Sequence, residues 1–371
     1  MKTLGLIVNP VAGMGGAVAL KGTDGLEILE RAEQLGATPK AHARAGQALA
    51  GLLTSYDSFE LLTFSGDMGE SSAIACEVEP QVIGSGSTPR TTPEDTVEAA
   101  RQMAERGVDL LLFAGGDGTA RDICGAIGTF VTTLGIPAGV KIHSAVFASS
   151  PAAAGRVAAS FLSGAIARVK EAEVMDIDEE EYRRQVLSAR LFGYLKIPDA
   201  RRLLQGPKAG SAVHDRAIQA AIAQGIFERM TDDRLYIVGP GTTLQPLMDL
   251  LGLDNSLLGV DIVRAGEQIA KDVSEREILE KIADTACTLV LTPVGGQGFV
   301  VGRGNQQISP AVIRKVGKQN IIIAATPEKL TTLRGRPLLI DTGDVETDAC
   351  LCGYYRVVTG YRDSAVYRVS D

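Results

Sequence analysis

The chain has 371 residues, enough for two domains of ordinary size. Hydrophobic residues make up 45% of it and charged residues 22%, which is typical of a globular protein. The formal net charge is −8 and Trp is absent, which disfavours binding to nucleic acid or to an anionic membrane surface. No apolar run approaches the roughly 18 residues of a membrane span, and the N-terminus lacks a signal-peptide core, so a cytoplasmic protein is expected.

Strand-like and helix-like patterns alternate over the first part of the chain. The periodicity predicts strands at 4–10, 59–64, 108–116 and within 135–146, and helices at 26–36 and 92–107. Thr92 suits the N-cap of the second helix, and Pro93 suits its first position. The run 108–116 is apolar almost throughout, as expected of a strand buried on both faces. Strands that alternate with helices imply βαβ units, so a parallel sheet is predicted.

The pattern changes after about residue 150. Rough alternation over 167–198 favours antiparallel strands, and residues 210–230 have the pattern of a helix. The segment 234–252 contains a strand, a glycine loop and a helix, and residues 274–286 begin with a capping box of Ser274 and Glu277. Further strands are predicted at the start of 287–309, in NIIIAA, in PLLIDTG and in a hairpin around 360–364.

Four glycine-rich loops carry the functional interest, namely VNPVAGMGG (8–16), AGGDGTARD (114–122), VGPGTT (238–243) and TPVGGQGFVVGRGN (292–305). Loops at the carboxyl ends of parallel strands are where open α/β sheets bind ligands. Glycine lets the backbone approach an anion closely, and a helix N-terminus supplies N–H donors, so a phosphate-bearing ligand is predicted. No loop has the P-loop pattern or a well-placed G-x-G-x-x-G, which disfavours a P-loop NTPase and an ordinary dinucleotide dehydrogenase.

The loop GGDGT (115–119) joins the buried strand to a helical pattern. Asp117 is expected at the strand tip, outside the core. Its carboxylate could orient a metal–phosphate complex, act as general base on a hydroxyl, or only cap its own turn. Thr119 is expected to cap the following helix.

GGDGT resembles the signature of the assemblage of NAD kinases, diacylglycerol kinases, sphingosine kinases and phosphofructokinases. VNPVAGMGG resembles the first loop of the NAD-kinase and lipid-kinase branches. Three longer stretches are similar to the divergent ATP-NAD kinase family, which includes relatives associated with acetoin catabolism: GGDGTARDI, GPGTTLQPLMDLLGLDNSLLGVDIV and TPVGGQGFVVGRGNQQISP. The resemblance extends over most of the chain, residues 3–325.

That resemblance implies an α/β protein with a Rossmann-like domain and parallel sheet at 1–147. It implies a β-rich α+β domain at 148–371, whose last segment could return to the first domain. The implied reaction transfers the γ-phosphate of ATP to the 2′-hydroxyl of the adenosine ribose of NAD, giving NADP, with Asp117 as general base. Mg²⁺ would be carried with ATP, and a homo-oligomer is expected. Arg121 and Lys141 are candidates to neutralise phosphate charge. The predicted nucleotide-binding residues are Asn9, Gly13, Gly15, Gly16, Gly115, Gly116, Gly118, Thr119, Arg121, Asp122, Lys141, Thr292 and Gly295.

Two features of typical NAD kinases are missing from this sequence. There is no recognisable Asn-Glu pair for the dinucleotide and no TPTGSTAY, whose nearest match is TPVGGQGF at 292–299. In that match Thr292, Pro293 and Gly295 align, whereas the serine and the tyrosine do not. Two alternatives therefore stay open, a kinase that phosphorylates a lipid or another small alcohol and a non-catalytic nucleotide-binding regulatory protein.

Overall fold

The computed structural model describes residues 1–20, 26–87, 90–139, 142–177, 189–200 and 215–371. The chain forms two compact units, of which the first comprises Met1–Met14 and Gly22–Pro207 and the second Gly15–Lys21 and Lys208–Asp371. In the described ranges no helix combines the length and apolarity that crossing a membrane requires.

The first unit is built on a five-stranded sheet. Its strands are β1 (Lys2–Val8), β2 (Phe59–Phe64), β3 (Gln81–Gly84), β4 (Leu110–Gly115) and β5 (Thr133–Pro137). They lie in the order β3-β2-β1-β4-β5 and are all parallel, as the alternation of patterns predicted. Every residue of β4 is buried, which fits its uninterrupted apolar sequence.

Six helices of the first unit are described. They are α1 (Leu26–Gln34), α2 (Ala41–Leu53), α3 (Glu70–Ile74), α4 (Pro93–Glu105), α5 (Asp117–Ile127) and α6 (Pro151–Leu162), and a 3₁₀ turn covers Gly66–Met68. The start of α4 confirms the prediction from the Thr92-Pro93 dipeptide. The Thr92 backbone N–H donates to Asp95 Oδ2 over 2.7 Å, so the cap residue and the first turn hold each other in place.

The first unit continues past the predicted domain boundary at 147/148. Two further strands, β6 (Val169–Ile177) and β7 (Ala189–Pro198), form an antiparallel hairpin, as the alternating pattern over 167–198 predicted. The hairpin is bonded to the parallel sheet, since Thr133 Oγ1 donates to the Lys196 carbonyl over 3.3 Å. Helix α6 packs so tightly on α2 that a Cβ on Gly155 would lie 2.0 Å from the Ala48 carbonyl oxygen. These contacts place residues 148–200 in the first unit.

The second unit contains two sheets. Its strands are β8 (Leu235–Val238), β9 (Asp261–Arg264), β10 (Glu267–Ala270), β11 (Cys287–Leu291), β12 (Phe299–Val301), β13 (Ile321–Ile323), β14 (Leu338–Ile340), β15 (Gly353–Val358) and β16 (Ser364–Ser370). One sheet has the order β10-β9-β8-β11-β13, in which β8, β11 and β13 are parallel, and the other has the order β12-β14-β16-β15. A second, sheet-rich domain is thereby confirmed.

The helices of the second unit are mostly short. Those described are α7 (Asp215–Phe227), α8 (Gln245–Leu251), α9 (Glu275–Lys281), α10 (Pro310–Val316), α11 (Pro327–Thr332) and α12 (Val345–Leu351), with a 3₁₀ turn at Lys318–Asn320. The predicted capping box of α9 is present, with Ser274 N–H donating to Glu277 Oε2 over 2.8 Å. The C-terminal hairpin β15–β16 belongs to the second unit. A return of the last segment to the first domain stays a prediction.

Candidate active site

The centre of the first unit's sheet has the geometry of a ligand site. Strands β1 and β4 are neighbours, and the strand order proceeds in opposite directions on their two sides. The loops that leave their carboxyl ends therefore diverge, and ligands of open α/β sheets bind in the crevice between such loops. The loop after β1 begins at Asn9, and the loop after β4 is the Gly115–Gly116 turn that leads into α5.

Asn9 links these two loops. Its backbone N–H donates to the Ala114 carbonyl over 3.0 Å, and its side-chain Nδ2 donates to Thr119 Oγ1 over 3.0 Å. The Asn9 Oδ1 accepts from the Val11 N–H over 3.3 Å, which shapes the turn that follows. Thr119 was expected to cap the helix, but α5 begins at Asp117 with Gly116 as the N-cap. Thr119 instead lies in the first turn of α5, where its hydroxyl accepts the hydrogen bond from the Asn9 side chain.

Two of the predicted glycines are required by close packing of the backbone. A Cβ on Gly115 would lie 2.4 Å from Thr119 Oγ1, so any side chain would displace that hydroxyl. Gly13 has a φ of +81°, and a Cβ there would lie 2.0 Å from the Ala138 carbonyl oxygen. Gly116 and Gly118 are partly exposed on either side of Asp117, so backbone at the start of α5 is open to a ligand.

Asp117 is more enclosed than the sequence suggested, with only 8% of its surface exposed. Its Oδ2 accepts from the His143 backbone N–H over 2.8 Å, and its Oδ1 accepts from the Ser144 N–H over 3.0 Å. The His143 ring nitrogen Nδ1 lies 3.2 Å from the same Oδ2. The carboxylate therefore faces the segment after β5 as well as the glycine turn.

His143 and Ser144 were missed by sequence reasoning. The range 135–146 was predicted to hold a short strand, and the end of β5 lies within it, at Pro137. Residues 142–144 follow that strand and form none. The one available signal was that His143, one of three histidines in the chain, follows the strand after GGDGT.

Three charged residues were predicted to bind the nucleotide, namely Arg121, Asp122 and Lys141, and the structure describes the first two. Arg121 Nη2 lies 3.5 Å from Asp122 Oδ1, with the arginine side chain 40% exposed and the aspartate side chain 17% exposed. Both lie on α5 beyond its first turn, and their roles in phosphate binding stay predictions. Lys141 lies outside the described residues.

The residues of the loop VNPVAGMGG are divided between the two compact units. Asn9 and Gly13 belong to the first unit, whereas Gly15 and Gly16 belong to the second. In the second unit a Cβ on Gly16 would lie 3.0 Å from the Gln306 Cβ. The Ala17 carbonyl accepts a hydrogen bond from the Glu275 N–H over 3.0 Å, at the start of α9. These contacts join residues far apart in sequence, which is why the local pattern did not reveal them.

In the second unit the predicted residue Thr292 also lies at the carboxyl end of a parallel strand, β11. The loop after β8 is next to it, since a Cβ on Gly241 would lie 2.8 Å from Thr292 Cγ2. Lys329, in α11 after β13, donates from Nζ to Thr292 Oγ1 over 3.2 Å and to the Pro293 carbonyl over 3.3 Å. A cationic side chain thus lies beside the TPVGG loop, and sequence reasoning missed it. Gly295, two residues further along, is partly exposed.

The GRGN stretch is held rigidly by buried polar contacts. Asn305 Oδ1 accepts from the Gly302 N–H over 2.9 Å, and its Nδ2 donates to the Val300 carbonyl over 2.8 Å. Arg303 and Asp341 form an ion pair of 3.1 Å in which each side chain is only 5% exposed. This loop therefore has a defined backbone rather than the freedom that its glycines alone would allow.

No group of three or more His, Cys, Asp or Glu side chains among the described residues could hold a metal ion. Mg²⁺ in phosphoryl-transfer sites is commonly bound by one or two carboxylates together with substrate phosphates and water.

Comparison with protein families gives two matches. Residues 4–166 match the ATP-NAD kinase N-terminal domain, and residues 231–369 match the ATP-NAD kinase C-terminal domain. The first match contains the Asn9–Thr119 link and the Asp117 contacts, and the second contains Thr292 and Lys329. Together the two matches cover most of the chain.

The other comparisons give no information on substrate. The comparison with curated proteins gave no match. Three solved structures from Bacillus anthracis strain Sterne match with TM-scores of 0.26–0.27 and 16% identity; two are of a candidate diacylglycerol kinase and one is of a diacylglycerol kinase. Each match covers 48% of this chain, which spans 43–45% of the length of those structures. Similarity at this level carries no argument about activity.

Proposed function

The chain belongs to the ATP-NAD kinase family, and on that premise we propose that it transfers the γ-phosphoryl group of ATP to the 2′-hydroxyl of the adenosine ribose of NAD, giving NADP. The observation that carries the proposal is the position of Asp117. The carboxylate lies at the start of α5, at the carboxyl end of β4, where the loops after β1 and β4 diverge.

Phosphate binding is supported by the backbone around Asp117. Helix α5 has eleven residues, and its first N–H groups have no partner within the helix. Such a helix N-terminus attracts a phosphate through these donors and through the helix dipole. Gly116 and Gly118 leave this backbone partly exposed, while the bond between Asn9 and Thr119 fixes the two loops relative to each other.

Proton transfer is supported by the pair formed by Asp117 and His143. Phosphoryl transfer to an alcohol needs a group that accepts the hydroxyl proton, and both a carboxylate and an imidazole can do so. The two side chains are 8% and 9% exposed. Two backbone N–H groups donate to the Asp117 carboxylate, and the His143 ring lies against that carboxylate, so the pair is arranged before a substrate binds.

Within the second unit, Lys329 is a candidate contact for a phosphate group. Lys329 lies against Thr292, whose loop follows a parallel strand, and an ammonium group there suits a phosphate of the nucleotide. Mg²⁺ would be carried with ATP and would neutralise charge on its phosphates.

The acceptor is the least constrained part of the proposal. TPVGGQGF replaces the TPTGSTAY of typical NAD kinases, and this difference favours a second candidate, a kinase of the same superfamily that phosphorylates another alcohol. ATP and Mg²⁺ would serve both candidates, so only the acceptor separates them.

One assay distinguishes these candidates. The protein is incubated with ATP, Mg²⁺ and NAD, NADP is measured with an NADP-specific dehydrogenase, and ADP is measured in parallel. Equal amounts of NADP and ADP are expected. ADP that forms only when NADH or a lipid alcohol such as diacylglycerol replaces NAD would transfer the proposal to that acceptor. Binding of ATP and NAD in calorimetry, with no turnover of any acceptor, would favour the non-catalytic alternative and overturn the proposed reaction.

A further inference from the structure

The imidazole of His143 is bonded to the Asp117 carboxylate in the manner of an oriented base. Its Nδ1 lies 3.2 Å from Asp117 Oδ2. Because an ionised carboxylate only accepts hydrogen bonds, a neutral imidazole in this contact carries its proton on Nδ1. The lone pair then resides on the opposite ring nitrogen, Nε2.

The carboxylate itself is already engaged by the fold. Oδ2 receives the His143 backbone N–H as well as the ring, and Oδ1 receives the Ser144 N–H. Three donors from residues 143 and 144 therefore bind the two oxygens. By contrast, His143 Nε2 has no hydrogen-bond partner among the described residues. Nε2 is therefore the acceptor of the imidazole that the described residues leave unused, whereas the two carboxylate oxygens are shared with three donors of the fold.

The backbone that carries His143 is anchored on both sides. Ile142 is 4% exposed and packs in the core of the first unit. Ser144 is fully buried, and its Oγ accepts from the Met175 N–H over 2.9 Å. The backbone at His143 is therefore fixed, and the contact of Nδ1 with Asp117 Oδ2 orients the ring on it, which is the geometry that a proton acceptor needs.

We propose that His143 Nε2, rather than the carboxylate, accepts the proton of the substrate hydroxyl, and that Asp117 is the positioning residue that fixes the imidazole tautomer. This inference rests on the proposed kinase activity. In the step, the hydroxyl O–H bond breaks and its proton goes to Nε2, while the oxygen forms a bond to the γ-phosphorus. The bond from the γ-phosphorus to the bridging oxygen breaks, ADP leaves with that electron pair, and the imidazolium later returns its proton to water.

The test separates proton acceptance from support of Asp117. In His143→Asn the side-chain amide can still donate to Asp117 Oδ2, but no basic nitrogen remains. His143→Ala removes both and leaves space for free imidazole. The measurements are kcat with the acceptor that the wild type uses, ATP affinity by calorimetry, and kcat of His143→Ala with increasing imidazole.

The expected result is a fall in kcat of roughly 10²–10⁴-fold in His143→Asn with unchanged ATP affinity, because a general base contributes about that much. Imidazole should restore part of the activity of His143→Ala. Wild-type kcat in His143→Asn would overturn the inference, because a donor to Asp117 would then be sufficient. Failure of imidazole to restore any activity would also overturn it.

The wild-type reaction distinguishes these outcomes from failure of the proposed function. If the wild type phosphorylates another alcohol instead of NAD, the assignment of NAD as acceptor fails. The role of His143 is then tested by assaying its variants with that alcohol. If the wild type turns over no acceptor, the kinase proposal is overturned and the role of His143 falls with it.

Discussion

The side-chain amide of Asn9 donates a 3.0 Å hydrogen bond to the hydroxyl of Thr119, and this bond joins the loop after β1 to the first turn of α5. The two residues are 110 positions apart in sequence. They meet because β1 and β4 are adjacent parallel strands whose carboxyl ends lie at one edge of the sheet. The bond thus sets the spacing of the two loops that would hold the nucleotide.

A double-mutant cycle on Asn9 and Thr119 should detect this link. Asn9→Ala and Thr119→Val should each destabilise the protein, with a coupling of about 0.5–1.5 kcal/mol between them, since one hydrogen bond contributes that much. Urea unfolding measures the four free energies. Thr119→Ser is the control, because it keeps the hydroxyl and should retain most of the coupling. Additive effects of the first two substitutions would contradict the link.

Asp117→Asn should lower kcat by roughly 10²–10⁴-fold, the range for loss of acid–base catalysis, because the imidazole loses the carboxylate that orients it. An amide can present only one oxygen, so one of the two backbone N–H donors at residues 143 and 144 loses its acceptor, and stability should fall by about 1–3 kcal/mol. Steady-state kinetics and urea unfolding measure the two effects.

The control for that variant is Asp109→Asn. Asp109 immediately precedes β4, at the end of the strand opposite to the glycine turn. Its carboxylate pairs with the Lys2 ammonium at 2.6 Å. Its replacement should leave kcat unchanged. If Asp117→Asn also left kcat unchanged, the carboxylate would serve only to shape its turn.

Gly13→Ala should be more damaging than Gly36→Ala, although the two glycines have almost the same backbone angle, φ +81° and φ +82°. A left-handed residue with a Cβ costs about 1–2 kcal/mol at either position. Gly36 has no atom within 4 Å of the added carbon, whereas at Gly13 that carbon would lie 2.0 Å from the Ala138 carbonyl oxygen. Thermal unfolding compares the two variants, and equal losses would show that the Gly13 turn adapts easily.

Lys329→Met should raise the KM for ATP by roughly 10–100-fold, corresponding to loss of a hydrogen bond to a charged group of about 1.5–3 kcal/mol. Lys329→Arg should keep part of the affinity because it keeps the charge. Lys281→Met, on the exposed surface of α9, is the matched control for loss of a lysine. An unchanged KM in Lys329→Met would contradict a role for Lys329 in binding ATP.

Acid should weaken the cap of α9. Hydrogen bonds from the Ser274 backbone and hydroxyl hold the pKa of Glu277 below its ordinary value. A lowered pKa in the folded state stabilises the protein above the unfolded pKa, and this contribution is lost as the pH falls through the folded value. The unfolding free energy of the wild type should therefore fall more steeply below about pH 4.5 than that of Glu277→Gln. Urea unfolding at a series of pH values measures this difference. The same decrease in unfolding free energy at low pH in both proteins would contradict the prediction.

Local patterns predicted the parts of the fold that local physics determines. The apolar run of β4 followed by two glycines predicted the strand, the turn and α5. The Thr92-Pro93 dipeptide and the capping box at Ser274 marked helix starts correctly. Each of these features depends on residues a few positions apart. Asp117 was found for the same reason.

The partners of Asp117 depend on contacts that no local pattern contains. His143 reaches the carboxylate because β5 pairs with β4, and the sequence does not state which strands will be neighbours. Likewise, the bond between Thr133 and Lys196 assigns the β6–β7 hairpin to the first unit, although the composition changes near residue 150. The missed site residues are those whose positions follow from strand order.

The placement of Gly15–Lys21 in the second unit has a consequence for biosynthesis. The Ala17 carbonyl pairs with the Glu275 N–H, yet residue 17 is translated roughly 10–50 s before residue 275 at ordinary elongation rates. The first unit can thus fold while the chain is still being synthesised. Residues 15–21 can form their contacts in the second unit only after the segment around Glu275 has been translated. A C-terminal fragment that begins after residue 207 would lack a piece of its own fold, so co-expressed halves of this protein should reassemble only if the N-terminal half retains residues 15–21.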